Sequence, residues 1–180
     1  MKKTLNKKMN KHVNIELDEV TVPYYAIHKD GLISGFFGDF RFLSNFYPLE
    51  NGVFLGELCF PSVENAYQAA KWPEHEWVQF VNITAGAAKK LGKLAPNFNG
   101  AKWNKKKYDI MAELVRQKFA NNRILKEKLL LTDGFVLEER NSWGDQEWGV
   151  DINGIGQNKL GIILMKVRDN IKQLEKGDNF

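Results

Sequence analysis

Hydrophobic and polar positions divide the chain into a strand-like first part and a mostly helical remainder. Short apolar runs rich in β-branched and aromatic residues predict strands at 13–17, 20–27, 32–37, 53–60 and 135–139. Apolar residues that recur every three or four positions predict helices at 63–72, 75–82, 84–93, 105–120, 122–131 and 159–174. The pattern therefore predicts an α+β fold that is mostly α-helical, with a small β-sheet.

The positive charge of the chain is concentrated at its N-terminus. Residues 1–12 contain five lysines and no acid, and without these lysines the formal net charge falls from +4 to −1. We expect 1–12 to be a basic, solvated and disordered tail, and 13–180 to be a single domain. The alternative for the tail is an arm that attracts phosphate and helps to hold a nucleic acid.

Composition and missing motifs narrow the function classes. The 180 residues are 43% hydrophobic and 27% charged, with no apolar run near the length of a membrane helix and no secretory signal. The lone Cys59 excludes an internal disulfide and favours a reducing, cytoplasmic setting. The sequence has no phosphate-binding glycine motif, no nucleophile elbow and no clustered histidines. We therefore expect no cofactor, no metal and no membrane partner.

The segment FPSVENAYQAAKW (60–72) places three polar side chains on one face of a predicted helix, Glu64, Gln68 and Lys71. With Ser62 as N-cap, Glu64 lies in the first turn, where the helix dipole favours a negative charge. A low pKa is then expected for its carboxyl unless the site is very dry. Periodicity alone favours a solvated face, and a pocket wall is the alternative.

Two polar segments, 40–48 and 139–161, fit neither a helix nor a strand, and such long irregular segments are typical of functional loops. In the second, Gly154, Gly156 and Asn158 lead into a helix whose free N–H groups can hold an anion, and simple capping by Asn158 is the alternative. The same segment contains two tryptophans, Trp143 and Trp148, that either stack on a ligand or pack in the core. It also contains three candidates for a second catalytic carboxylate: Asp145, Glu147 and Asp151.

Cleavage of an N-glycosidic bond would use this combination of groups. A carboxylate stabilises the oxocarbenium-like sugar and activates water, while a second polar group assists the leaving nitrogen. Aromatic rings stack on the base, and a helix N-terminus or Lys71 holds phosphate. No single motif specifies this reaction.

The chain resembles the NADAR superfamily, also called YbiA-like, over roughly residues 34–168. The matching motifs, in order, are FFGDFRFLSNFYP, FPSVENAYQAAKW, NGAKWNKKKYDIM, VRQKFANN, LLLTDGFVLEE and WGVDINGIGQNKLGIILMKVR. The resemblance implies a mostly helical α+β domain that acts on N-glycosidic bonds. One group of such proteins hydrolyses ribosylamine intermediates of riboflavin biosynthesis, and another removes ADP-ribose from modified guanine bases in nucleic acid.

The resemblance also implies roles for individual residues. Glu64 matches the catalytic glutamate, so that the polar stripe lines a pocket. The residues that match or adjoin the family's substrate contacts are Arg41, Ser44, Asn45, Gln68, Lys71, Trp103, Trp148 and Asn158. Some relatives carry an acid two residues after the second tryptophan, where this chain has Val150. The second catalytic acid is therefore either the next residue, Asp151, or Asp145.

These implications predict a hydrolase that removes ADP-ribose from a modified guanine base in nucleic acid. Action on a phosphoribosylamino-pyrimidine of the riboflavin route is the first alternative, which the basic arm and Val150 mildly disfavour. The second is a non-catalytic module that binds ADP-ribose or an NAD derivative, and the third is an interaction protein without a ligand.

Overall fold

The computed structural model describes residues 14–17, 20–23 and 31–177 of the chain, and the predicted tail at 1–12 lies outside them. The strands are β1 (Asn14–Leu17), β2 (Val20–Pro23), β3 (Leu32–Ser34), β4 (Val53–Leu55), β5 (Leu58–Phe60) and β6 (Val136–Glu138). The α-helices are α1 (Val63–Ala69), α2 (Ala85–Gly92), α3 (Gly100–Ala120), α4 (Arg123–Leu130) and α5 (Lys159–Gly177). The first and second 3₁₀ helices are Gly38–Leu43 and Glu74–Phe80. The mostly helical α+β class is confirmed.

The strands pair as three separate two-stranded sheets within the described residues. β1 pairs with β2 and β4 with β5, both antiparallel, whereas β3 and β6 are parallel, with Leu32 opposite Val136. The predicted strand 53–60 is a hairpin, because Gly56, with a positive φ of 57°, forms the turn between β4 and β5. The parallel pair brings together segments that lie about 100 residues apart.

Two predicted helices differ from the structure. The helix predicted at 105–120 begins five residues earlier, because the Asn99 side chain accepts a hydrogen bond from the Lys102 N–H (2.9 Å) and caps it. The helix predicted at 75–82 is the second 3₁₀ helix, in which only Phe80 is buried. Beside Phe80, Trp77 and Val81 are only partly buried against the core.

Helix α1 lies at the centre of the molecule. It contacts α2, α3, β4, β5 and the second 3₁₀ helix, and all seven of its residues are buried. The Ser62 Oγ accepts the Asn65 N–H, which confirms Ser62 as the N-cap. The solvated face expected from periodicity is wrong, since Glu64 and Gln68 are only 6% and 5% exposed.

A single cluster of apolar side chains surrounds α1 and extends to β3, β6 and the helices that follow. Its largest fully buried members include Phe42, Phe60, Phe80, Phe119, Ile33, Leu137 and Leu164. α3 packs against both α4 and α5, and α5 covers β6. Among the described helices, none is long and apolar enough to cross a membrane.

Replacing Asn65 by alanine is expected to destabilise the fold by about 2–4 kcal/mol. The Asn65 Nδ2 donates to the buried carbonyl oxygen of Phe80 and to the partly buried one of Ile83 (both 2.8 Å), and the change leaves both acceptors without this donor. Urea unfolding measures the loss. The matched control is the exposed Asn82→Ala, for which we expect a change within about 0.5 kcal/mol. Equal stabilities for the two variants would contradict this account.

Candidate active site

A cavity of about 870 Å³ opens beside α1. It lies between one face of α3, the loop after the first 3₁₀ helix and the segment 139–148. The site residues predicted from the sequence line this cavity, apart from two: the lining ones are Arg41, Ser44, Asn45, Glu64, Gln68, Lys71, Trp103, Asp145 and Trp148. The two that do not line it are Asp151 and Asn158.

The polar stripe of α1 forms a hydrogen-bonded chain on the inner wall. The Gln68 Nε2 donates to the Glu64 Oε1 (2.8 Å), and the Lys71 Nζ donates to the Gln68 Oε1 (2.7 Å). A Cβ on Gly92 of α2 would lie 2.0 Å from the Gln68 Oε1, so only glycine lets α2 hold this amide so closely. The Glu64 carboxylate is therefore fixed in orientation.

Burial raises the pKa of the Glu64 carboxyl, which is opposite to the value expected from its place in the first helical turn. The hydrogen bond from Gln68 and the charges of Lys89 and Lys71 offset part of this effect. Burial also lowers the pKa of Lys71, again against the attraction of Glu64. The site is dry enough for desolvation to outweigh the helix dipole.

The loop after the first 3₁₀ helix is attached directly to α1. The Asn45 carbonyl accepts the Glu64 N–H (3.0 Å), and the Ser44 carbonyl accepts the Nζ of Lys118 (2.8 Å). Lys118 is 1% exposed, and burial lowers its pKa to about 7. The buried Oδ1 of Asn45 accepts no hydrogen bond from any residue that the structure describes. This oxygen therefore keeps its capacity to accept a hydrogen bond inside the cavity.

Aromatic rings form the wall beside the stripe. The ring of Tyr67 packs between those of Trp103 and Trp148, at centroid distances of 5.1 and 5.5 Å. The Nζ of Lys71 lies 5.4 Å from the Tyr67 centroid. On α3, Trp103, Lys107 and other residues at helical spacing share the cavity face. Both tryptophans are therefore packed elements of the wall.

Asp145 enters the cavity at the start of a tightly bonded turn. Its Oδ1 accepts the N–H groups of Glu147 (3.1 Å) and Trp148 (2.9 Å). The buried Asn141 accepts the Asp145 N–H (2.9 Å) and donates to the carbonyls of Asp145 and Val150. Sequence reasoning missed Asn141, because its role depends only on backbone groups that the fold brings to it.

Asp151 is held outside the cavity. Its pKa is lowered by hydrogen bonds from the N–H of Ile155, the side chain of Gln146 and the N–H of Asn153. Val150 is instead buried, at 4% exposure. Because the acid is displaced by one residue, its carboxylate accepts hydrogen bonds from the N–H groups of its own turn. Asp145 therefore remains as the candidate second acid.

Asn158 and the start of α5 likewise serve the fold. The Asn158 Oδ1 accepts the Glu139 N–H (3.0 Å), and its Nδ2 donates to the Leu137 carbonyl (2.8 Å). The N–H groups of Lys159 and Leu160 donate to the carbonyls of Glu147 and Trp148. Backbone carbonyls therefore already occupy these two donors, which an anion at this helix end would need.

Several lining residues were not singled out as site residues by the sequence, most clearly Glu139. Burial raises the pKa of its carboxyl to about 7, and the charge of Asp145 adds to this. In a strand, alternate residues share a face, so Glu139 follows on the side of the buried Leu137. That alternation is the one signal that indicates an inward position. Lys107 follows Trp103 by four residues on the same helix face, whereas Lys89 and Arg140 carried no such signal.

Among the described residues, no group of three or more His, Cys, Asp or Glu side chains is placed to hold a metal ion.

Comparison with known proteins gives the family. The NADAR domain profile matches residues 35–172. This chain belongs to the NADAR domain family. The NADAR chain is 33% identical to an N-glycosidase of Nostoc punctiforme over 136 residues, which cover 73% of this chain and 85% of that protein. It is 34% identical to a riboflavin biosynthesis protein of Vibrio vulnificus over 134 residues, covering 73% of this chain and 36% of that protein.

A solved NADAR relative supports the fold. The NMR structure of the Escherichia coli protein YbiA superposes with a TM-score of 0.67 at 26% identity, covering 79% of this chain and 84% of that one. The resemblance seen in the sequence motifs is confirmed. This chain spans about a third of the length of the Vibrio protein, so the matched region is one part of that longer protein.

Lys118 is expected to make the stability of this NADAR domain vary with pH in the alkaline range. Its pKa is about 7 in the fold against an ordinary 10.5, so the unfolded chain binds more protons between these values. The contribution of Lys118 to the free energy of unfolding therefore rises with pH over this window, by at most about 1.4 kcal/mol per pH unit. Urea unfolding of the wild type and Lys118→Met at several pH values measures it.

The exposed Lys102→Met is the matched control and should follow the wild type at every pH. A constant difference between the wild type and Lys118→Met from pH 7 to 10 would refute the shifted pKa.

Proposed function

We propose that this protein hydrolyses the C1–N bond of a ribosyl N-glycoside. The observation that carries the proposal is the buried Glu64 carboxylate, oriented by Gln68 within a ligand-sized cavity that also contains Asp145. The relatives named N-glycosidase support this activity in general. Hydrolysis of an N-glycosyl bond, which the sequence predicts, is thus also the activity that the family favours.

In the proposed reaction, Glu64 faces C1 of the sugar. As the C1–N bond breaks, the carboxylate stabilises the positive charge that develops on the ring and takes a proton from the attacking water. The raised pKa of Glu64 lies closer to neutral pH, which suits a general base. Asp145 assists from the facing loop, and the unpaired Oδ1 of Asn45 accepts a sugar hydroxyl.

We further propose that the substrate is an ADP-ribosylated guanine in a nucleic acid. Two aromatic side chains at the cavity mouth, Phe37 and Trp143, are 71% and 65% exposed. The Nζ of Lys89 lies 5.7 Å from the Trp143 ring centroid, and the exposed Arg41 and Arg140 also line the cavity. Exposed rings interleaved with cations match the bases and phosphates of a single strand.

The second candidate substrate is a phosphoribosylamino-pyrimidine. It is favoured by the similarity to a protein named for riboflavin biosynthesis. This smaller ligand needs the inner wall but does not need the rim of exposed rings.

Glu64→Gln is expected to lower the turnover number by about 10²- to 10⁴-fold without unfolding the protein, because the amide keeps the shape but cannot accept the proton from water. The wild type and the variant are incubated with a single-stranded oligonucleotide ADP-ribosylated on guanine and, separately, with a phosphoribosylamino-pyrimidine. Mass spectrometry identifies the products. The exposed Glu57→Gln is the matched control.

Free ADP-ribose with a restored oligonucleotide supports the nucleic-acid substrate, and release of ribose 5-phosphate supports the riboflavin intermediate. Binding of either compound without cleavage by the wild type would favour a non-catalytic binding module instead. Wild-type turnover by a folded Glu64→Gln variant would remove Glu64 from the mechanism.

Trp143→Ala is expected to raise KM for the modified oligonucleotide by about tenfold, since base stacking on an aromatic ring contributes about 1–3 kcal/mol. The pyrimidine substrate should be affected little. The matched control is Phe54→Ala, which removes a ring that is 46% exposed on β4, away from the cavity. Equal effects of Trp143→Ala on both substrates would count against the rim as a strand-binding surface.

A further inference from the structure

The cavity contains a carboxyl group that the proposed reaction has not yet used, that of Glu139. Its Oε2 is buried and has no hydrogen-bond partner among the described residues. An ionised oxygen without a donor is costly in such a place, whereas a protonated carboxyl is neutral and can itself donate. The position therefore favours the protonated form of the Glu139 carboxyl.

We infer that Glu139 is the general acid of the site, which donates its proton to the nitrogen that leaves the sugar. The inference rests on the proposed function and adds a third carboxyl group, next to Glu64 and Asp145, with a separate role.

The hydrogen bonding of the two glutamates differs in the way that this division of roles requires. Glu64 accepts a hydrogen bond from the Gln68 amide, and Lys71 completes that chain of donors. Such donors stabilise the ionised form. Glu139 has no such donor on Oε2, whereas burial and the charge of Asp145 act on both groups and raise both pKa values. Carboxyl groups whose environments differ in this way can serve as base and acid in one site.

The backbone of Glu139 is held firmly enough to place a reacting group. Its N–H donates to the Asn158 Oδ1 (3.0 Å), and its carbonyl accepts the Val150 N–H (2.9 Å). A Cβ on Gly149 would lie 2.0 Å from the Glu139 carbonyl oxygen, so the loop that carries Trp148 packs directly against it. Asn158 thus acts on the site through Glu139, without touching the cavity.

Charged groups from four elements act on Glu139. Beyond burial, Asp145 of the facing loop and Glu64 of α1 raise its pKa, and Lys118 of α3 and Lys89 of α2 lower it. The result is a pKa of about 7. The acid is therefore protonated below about pH 7, and turnover that needs its proton falls as the pH rises above that value.

Electron pairs and protons balance in the proposed hydrolysis. The electron pair of the C1–N bond goes to the nitrogen, which receives the proton from Glu139, and water adds its oxygen to C1 while Glu64 takes its proton. One carboxyl has lost a proton and the other has gained one, so proton exchange with solvent restores both. No oxidant, reductant or further reactant is needed.

The test measures kcat against pH for the wild type, Glu139→Gln and the neighbouring Glu138→Gln, on whichever of the two substrates the wild type cleaves. Glutamine keeps the shape of Glu139 but cannot deliver a proton. We expect Glu139→Gln to lose about 10²- to 10⁴-fold in kcat and to lose the alkaline decline near pH 7. Glu138 instead bonds to Ser34 and Arg140, and its variant should keep the wild-type profile.

A Glu139→Gln variant with kcat within threefold of the wild type, or with an unchanged alkaline decline, would overturn the role of Glu139 while leaving the hydrolase intact. A wild type that cleaves neither substrate would overturn the proposed function and this inference together. If Glu139→Gln does not fold, carboxyl carbon-13 NMR of the wild type replaces it, and titration of Glu139 near pH 4 would then refute the inference.

Discussion

The structure depends on enclosing a short polar helix in a dry interior. α1 has seven residues, all buried, and three of its side chains are polar enough to require partners: Glu64, Asn65 and Gln68. Gln68 is the partner of Glu64, and Lys71 is the partner of Gln68. Ser62 and the carbonyls of Phe80 and Ile83 are the partners of Asn65. Because buried polar groups are costly when unpaired, the same hydrogen bonds that permit burial also orient the carboxylate of Glu64.

The pairing of β3 with β6 explains why two distant polar segments form one cavity. The strands are parallel and in register, so that the chain after Ser34 and the chain after Glu138 leave the sheet in the same direction. The first leads to Asn45 and the second to Asp145. The Asn158 side chain, just before α5, hydrogen-bonds to the backbone of Leu137 and Glu139 and so joins β6 to the start of α5.

Charge is distributed unevenly across the cavity. Glu64 is buried on the inner wall, whereas Arg41, Arg140 and the exposed ring of Trp143 lie at the mouth. In a dry interior, opposite charges and hydrogen bonds act strongly, which suits the bond that breaks. At the wet mouth, cations and exposed rings suit phosphate and bases, whose contacts tolerate water. In the proposed reaction, the two ends contact different parts of one substrate.

The sequence by itself determined the α+β class, the helix start at Ser62 and most helix positions, because periodicity and caps are local. The family motifs added the cavity residues of α1, α3 and the two loops. Tertiary structure alone decided how completely Glu64 and Gln68 are removed from water, that Asp151 and Asn158 leave the cavity, and that Glu139 enters it. The reason is physical: desolvation and hydrogen-bond partners come from residues far away in the chain, and a side chain's role follows from them.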